Sequence, residues 1–232
     1  MNLTVVVGHF RLPEERLTGF LAWNRELFQK YAVHVNLVTD RCHEKLPENV
    51  TELIYPAPLP VYSPSRVSNY GIRQAGAGRI LKTDIDCVFS EDALREALAV
   101  CQGRGVFFNY RMCKSYETRE QNLLWGAGCG TMCLDYSDWD RIHGYDERQE
   151  GYGVEDGDGV ARARQVLHLR HSRATIWHIA HTGDEVWTQA NRCFRRDLWN
   201  RSSGFCPDRH VENKRVRDSG VPWRNPQWGI PS

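Results

Sequence analysis

No apolar run in the chain is long enough to cross a bilayer, so a membrane-spanning helix is excluded as its organising feature. The first ten residues, MNLTVVVGHF, have neither the basic start nor the long apolar stretch of a secretory leader, and the expected location is cytoplasmic. No Cys-x-x-Cys pair exists among the eight cysteines (42, 87, 101, 113, 129, 133, 193 and 206). Cys129 and Cys133 form only a Cys-x-x-x-Cys, which argues against a zinc ribbon. Buried, reduced thiols are expected instead, as for Cys87 in DIDCVF and Cys133 in TMCL. There is no His-Glu-x-x-His, no internal repeat and no low-complexity segment. Net charge is only +1, so the chain as a whole carries no nucleic-acid footprint.

What is present suits a soluble globular chain. Its 232 residues are enough for one good core, and 41% hydrophobic with 25% charged content is ordinary. The charge is uneven: residues 192–232 hold nine basic side chains against four acids, leaving that end at +5 and the remainder at −4. With Trp199, Trp223 and Trp228 among them, this end either meets an anionic acceptor or folds back over the acidic body.

Alternating strand and helix patterns fill the first hundred residues. LTVVV at 3–7 reads as a buried strand, and Pro13 opens a helix with Glu14 and Glu15 in its first turn. Strands are expected at 33–38, 50–55 and 79–82, with a helix at 65–76 stopped by Gly76-Ala77-Gly78 and another at 91–101 capped by Ser90. Further strands are predicted at 106–110, 130–134 and 174–179, and helices at 137–142, 155–167 and 184–199. This order predicts an α/β fold of doubly wound type, with ligands at the carboxyl ends of strands.

Two acidic segments stand out. Residues 144–158 carry six carboxylates in fifteen positions, between glycines that let a ligand approach the main chain. Like-charge repulsion there costs stability unless a metal, a cation or a proton relieves it. The second is Asp84-x-Asp86, pinned between the apolar strand before it and Cys87-Val88-Phe89 after it. Acids in such a place either sit in a solvated turn or take a divalent cation as partner.

Residues 68–90, SNYGIRQAGAGRILKTDIDCVFS, resemble the stretch that leads into the Asp-x-Asp motif of GT-A fold glycosyltransferases. Residues 128–158 resemble the second half of the same enzymes. There Gly-Tyr-Asp-Glu and Gly-Tyr-Gly-x-Glu-Asp stand where β-1,4-galactosyltransferases, polypeptide N-acetylgalactosaminyltransferases and bacterial chondroitin-type polymerases carry Gly-Trp-Gly-x-Glu-Asp. Tyr152 replaces the usual Trp and keeps an aromatic wall. Ser68 stands where many relatives carry Arg.

The resemblance covers about residues 3–181. It implies a GT-A (nucleotide-diphospho-sugar transferase, Rossmann-like) mixed sheet flanked by helices. It implies a catalytic domain over 1–200, with a donor half at about 1–90 and an acceptor half at about 104–183. Residues 201–232 are then a basic, Trp-containing tail that packs on or extends the domain.

The implied activity is metal-dependent transfer of a hexose (galactose, N-acetylgalactosamine or glucose) from a UDP-sugar to an acceptor hydroxyl, with inversion. Asp86 and Asp84 would ligate Mn²⁺ or Mg²⁺, with His178 or His181 as third ligand, and Asp156 would be the general base. Donor and acceptor contacts are implied for Arg11, Asp40, Asn69, Asp84, Tyr152, Gly153 and Glu155. The partners would be a UDP-sugar and a glycan or other hydroxyl acceptor, with the +5 tail leaving a polyanion or nucleic acid open.

Two other readings compete. A nucleotidyltransferase of similar fold would need a glycine-rich phosphate loop after the first strand, where Gly8-His9-Phe10-Arg11 has one glycine. A non-catalytic carbohydrate- or nucleic-acid-binding module would leave the carboxylates of 144–158 unexplained.

Overall fold

Leu3–His9 (β1) is buried on both faces, and its alternating residues serve two cores. Leu3, Val5 and Val7 face a cluster with Leu17, Phe20 and Phe28 of helix α1 (Glu14–Lys30). Val6 faces the other way, into a cluster with Val67 and Ile72 of helix α2 (Pro64–Ala75) and with Trp139. A strand covered by helices on both sides has no need of polar alternation, which is why LTVVV is a continuous apolar run. A computed structural model describes residues 2–10, 12–57, 59, 62–121, 124–125, 130–149, 154–180, 214–219 and 223–231.

Around β1 lies a seven-stranded sheet. Strands β2 (His34–Thr39) and β3 (Val50–Ile54) extend it to one side in parallel, and β4 (Arg79–Lys82) runs parallel on the other. Beyond β4 come β9 (Thr131–Asp135), antiparallel, then β6 (Arg104–Phe108) and β10 (His168–His171). The order is β10-β6-β9-β4-β1-β2-β3. This is a mixed α/β sheet, parallel except at β9.

A second sheet of four strands, in the order β5-β11-β7-β8, comprises β5 (Cys87–Phe89), β11 (Ile176–Ile179), β7 (Tyr110–Cys113) and β8 (Leu124–Trp125). The chain crosses from the first sheet to the second three times: at residues 83–86 between β4 and β5, at Asn109 between β6 and β7, and at residues 172–175 between β10 and β11. The first crossing carries the acidic pair.

Local chemistry sets the helix ends. Ser63 caps α2 by accepting from the Arg66 N–H, Pro64 occupies the first turn, and Gly76 ends the helix at φ 68°. Ser90 caps α3 (Glu91–Leu98) through the Ala93 N–H, and Asp135 caps α4 (Tyr136–Arg141). Helix α5 (Glu155–Val166) has no side-chain cap. It follows Val154 at φ 82°, a conformation that a β-branched residue adopts only at a cost of about 1–3 kcal/mol.

Several expectations shift. The single strand predicted at 106–110 is two, because the chain changes sheet at the exposed Asn109. Strand 174–179 begins at Ile176, and helix 91–101 stops at Leu98. Strand β10 was not anticipated: HLRH is a mostly exposed edge strand without apolar alternation. The helix expected at 184–199 lies outside the described residues. Of the five described cysteines, Cys87, Cys113 and Cys133 are buried, whereas Cys42 and Cys101 are exposed, and none is in a disulfide.

Edge strand β5 is tied to α1 by Asn24, which is fully buried. Its amide donates to the carbonyls of Phe20 (2.9 Å) and Cys87 (3.0 Å), and its Oδ1 accepts from the Phe89 N–H at 3.0 Å. Asn24 thus replaces part of the neighbouring strand that β5 lacks. Asn24→Leu strands two buried backbone groups and is expected to cost about 3 kcal/mol. Urea denaturation checks this as a lower midpoint at an unchanged slope.

Candidate active site

The polar centre of the molecule forms where β4 ends. Lys82 and Asp84 are two residues apart, and Lys82, though only 4% exposed, is charged and triply engaged. Its Nζ donates to Asp156 Oδ1 at 3.0 Å, to the Gly130 carbonyl at 3.0 Å and to Asp84 Oδ1 at 3.3 Å. Tyr110, from the second sheet, donates its hydroxyl to Asp84 Oδ2 at 2.9 Å and accepts from Thr131 at 3.1 Å. Gly130 is the gap that makes this meeting possible. A Cβ there would lie 2.2 Å from the Tyr110 hydroxyl, 2.8 Å from Asp84 Oδ2 and 3.0 Å from Asp156 Oδ2.

The electrostatics follow from burial and crowding. Burial works against the charge on Lys82, but Asp156 and Asp84 outweigh it and lift its pKa well above the ordinary lysine value. Burial raises the pKa of Asp156; Lys82 opposes the shift and Asp84 adds to it. Glu155, 4% exposed, is pushed up by burial and then by the charge of Asp156 beside it. Of these two neighbouring acids, Asp156 holds the lysine and Glu155 holds none. The division favours an ionised Asp156 next to a protonated Glu155. Burial likewise lifts the pKa of Tyr110, which remains a hydroxyl donor.

Asp86 lies on the far side of the crossing. Arg16 of α1 donates to Asp86 Oδ2 at 3.0 Å, and His178 Nε2 of β11 is 3.1 Å from Oδ1. Asp84, Asp86 and His178 bring one ligand atom each within 4.8 Å of one another. Two carboxylate oxygens and one imidazole nitrogen, gathered at that spacing, suit Mn²⁺ better than Mg²⁺, which favours an all-oxygen shell. The Asp84–Asp86 pair and His178 are thus brought together as the sequence reading anticipated.

The remaining expected residues divide. Glu155 and Asp156 open α5 beside the acidic crossing. Asp40 is exposed just past β2, 3.6 Å from Arg41 Nη1. Arg11, Tyr152, Gly153 and His181 lie outside the described residues. Asn69 corrects its expectation of ligand contact. It is fully buried, and both amide protons are spent, on the Tyr145 carbonyl (2.9 Å) and on Glu147 Oε1 (2.8 Å). Its Oδ1 accepts the Tyr145 N–H at 2.7 Å. Asn69 holds the 144–147 turn, whose Gly144 at φ 60° has no room for a side chain.

The described part of the basic tail also departs from one of the two alternatives. Trp228 is fully buried and donates to Asp140 at 3.0 Å, while Trp223 donates to the His143 carbonyl at 2.7 Å. Gly229 N–H reaches Glu147 at 2.7 Å. These two tryptophans are packing residues of the domain and do not form an exposed stacking surface.

Sequence reasoning missed Lys82, Arg16, Tyr110 and Gly130. A signal existed for Lys82, since the strand period of two places it in line with Asp84. Arg16 and Tyr110 come from a distant helix and from the second sheet, and nothing in their own neighbourhoods marks them.

Comparison with known proteins agrees with this architecture. Residues 111–182, from β7 to just beyond β11, match a family model described as the N-terminal domain of galactosyltransferase. No curated protein matches. Among solved structures, the catalytic domain of Drosophila beta1,4galactosyltransferase 7 in complex with xylobiose is similar at TM-score 0.53 and 14% identity, over 88% of this chain and 81% of that one. S. aureus TarS in complex with UDP-GlcNAc gives 0.58 and 12% over 94% and 66%. The mannosyltransferase PcManGT from Pyrobaculum calidifontis, in complex with GDP-Man and Mn²⁺, gives 0.55 and 12% over 99% and 72%. The fold is GT-A. That fold is shared with these glycosyltransferases, and residues 111–182 carry the match to the galactosyltransferase model. No helix among the described residues is long and apolar enough to cross a membrane.

Removing the central cation tests the arrangement. Lys82→Met leaves two carboxylates facing each other and is expected to cost ~2–3 kcal/mol at neutral pH. That is below the ~3–5 of a fully buried pair, because both acids keep some solvent contact. The difference from wild type should narrow as pH falls through the carboxylate range, since protonation removes the repulsion. Denaturant titrations in chelator at several pH values measure both effects.

Proposed function

We propose that the protein is a metal-dependent inverting glycosyltransferase that moves a hexose from a UDP-sugar to an acceptor hydroxyl. One observation carries the reading: a metal-competent Asp84–Asp86–His178 group lies across a lysine from a second, separately held carboxylate, Asp156. The first suits a leaving diphosphate and the second suits a proton acceptor. The UDP-sugar class is supported by similar structures solved in complex with manganese and UDP-Gal and with UDP-GlcNAc.

In this reading Asp84, Asp86 and His178 hold Mn²⁺. When bound, the ion supplies positive charge to offset the charge that builds on the departing diphosphate. Arg16 pairs with Asp86 and aims it, and Tyr110 positions Asp84 through its hydroxyl. Asp156 takes the proton from the acceptor hydroxyl as its oxygen attacks the anomeric carbon from the face opposite the leaving group. The N-terminus of α5 and Lys82 keep Asp156 ionised until then, while burial keeps it basic enough to accept the proton. Glu155, protonated and buried, is placed to hydrogen-bond a sugar hydroxyl. Arg11 and Asp40 at the ends of β1 and β2 are the proposed contacts to the base. Tyr152 and Gly153 are proposed as the wall beside the acceptor, and His181 as a further candidate metal ligand.

The acceptor is a glycan or another hydroxyl compound. A nucleic-acid acceptor has no support from the relatives, and Trp228 is fully buried and not available to stack on bases. The nucleotidyltransferase alternative lacks its phosphate loop, and a purely binding module leaves the lysine-bridged acids without a purpose.

Incubation with a panel of UDP-sugars and Mn²⁺, followed by UDP release and by mass spectrometry of products, is expected to show at least slow donor turnover. Asp86→Ala should weaken UDP–Mn²⁺ binding by more than about tenfold, as one metal ligand and its charge are lost. Absence of donor turnover and of nucleotide binding with every divalent metal tried would overturn the assignment.

A further inference from the structure

Outside the Asp84–Asp86–His178 group, at the carboxyl ends of β1 and β2, two histidine rings meet in a way their neutral forms cannot satisfy. His43 Nδ1 lies 2.5 Å from Glu52 Oε1. A carboxylate only accepts, so this nitrogen carries the hydrogen. His9 Nε2 lies 3.2 Å from the Pro13 carbonyl oxygen, which also only accepts, so this nitrogen carries its hydrogen too. In neutral rings the two remaining nitrogens each present a bare lone pair. Those nitrogens, His9 Nδ1 and His43 Nε2, face each other at 3.1 Å. Something electropositive belongs between them.

The spacing suits a metal ion. Zinc–nitrogen bonds of about 2.0–2.1 Å in tetrahedral geometry put neighbouring ligand atoms about 3.3–3.4 Å apart. A third ligand is at hand. Glu14, in the first turn of α1, holds Oε2 3.6 Å from His43 Nε2, and the three ligand atoms lie within 4.8 Å of one another. The outer contacts follow the usual support for ligating imidazoles, in which the nitrogen away from the metal donates to a carboxylate or a carbonyl. Here Glu52 and Pro13 take those parts. A nearby cation is Arg41, whose Nη2 lies 3.7 Å from Glu14 and donates to the Leu12 carbonyl at 2.8 Å, with Nη1 3.6 Å from Asp40. Among the described residues, the carboxylates of Glu14, Asp40 and Glu52 stand around this guanidinium and the two rings. Both histidine side chains are buried, His43 to 4% exposure, while Glu14 is half exposed and free to adjust.

We propose that His9, His43 and Glu14 bind one divalent transition-metal ion of the Zn²⁺ class, with its fourth position open to water. The ion joins the end of β1, the first turn of α1 and the connection after β2. It is separate from the Asp86 group and does not rest on the donor assignment.

The test titrates Zn²⁺ into chelator-stripped protein against a chromophoric chelator, with Co²⁺ as a spectroscopic substitute. Wild type is expected to take up one tight equivalent. The Co²⁺ form should show tetrahedral d–d bands without a thiolate charge-transfer band, which separates this site from the exposed Cys42 and Cys101. His9→Ala and His43→Gln should each lose that equivalent, and Glu52→Gln should weaken it about 10–100-fold. Asp86→Ala and Cys42→Ser should retain it. Circular dichroism of His43→Gln, altered only in a connecting segment, shows that loss of metal is not loss of fold. Three results overturn the proposal: no stoichiometric uptake by wild type, uptake insensitive to both histidine changes, or uptake lost in Asp86→Ala or Cys42→Ser. Histidine ¹⁵N shifts that report a proton shared between the rings, unchanged by Zn²⁺, also overturn it.

Discussion

A single buried ammonium group holds the centre of this molecule together. Lys82 lies between Asp84 and Asp156, 3.3 and 3.0 Å from their oxygens, and without it two carboxylates would meet across a glycine. Each carboxylate has a different owner. Asp84 belongs to the crossing between the two sheets, whereas Asp156 belongs to the first turn of α5. The lysine therefore joins elements 74 residues apart in sequence as well as opposite charges. A cation in this position offsets the repulsion between the two acids and leaves each in its own place for separate chemistry.

The sheet arrangement makes that meeting possible. The large sheet delivers Lys82 at the end of β4, and the chain leaves it at Thr83 to begin the small sheet at Cys87. Residues in the crossing belong to neither ladder, so their side chains are free to point into the gap. The small sheet then returns Tyr110 and His178 on β7 and β11, opposite the crossing. Arg16 reaches in from α1, which Asn24 fastens to β5. Strain at Val154 marks the other approach, where α5 starts abruptly with two acids and no side-chain cap. Each side of the site thus owes its position to packing at some distance from it.

Much of this was legible in the chain, for identifiable reasons. LTVVV, Gly76 and Ser90 are local signals, and the elements they define are present. Asp84 and Asp86 drew attention because acids pinned between apolar runs are costly unless partnered, and Asp156 because Gly-Tyr-Gly-x-Glu-Asp resembles a family motif. The polar edge strand β10 and the change of sheet at Asn109 escaped, because neither disturbs hydrophobic periodicity. Lys82 was overlooked because RILK reads as the end of an apolar strand, and only its tertiary partners reveal its charge as structural. Asn69 shows the converse. A motif position that resemblance assigns to a ligand is spent here on the Tyr145 turn, since a buried amide with both protons engaged has none to give.

The division of labour between Asp86 and Asp156 is the central claim, and one variant tests it directly. Asp156→Asn keeps the shape of the side chain but cannot accept a proton, so kcat should fall by about 10²–10⁴-fold. The Kd for UDP–Mn²⁺ should stay within about twofold of wild type, because the metal-holding side is untouched. Loss of nucleotide and metal affinity in parallel with activity would contradict the account, placing Asp156 with the metal and leaving the base to another residue.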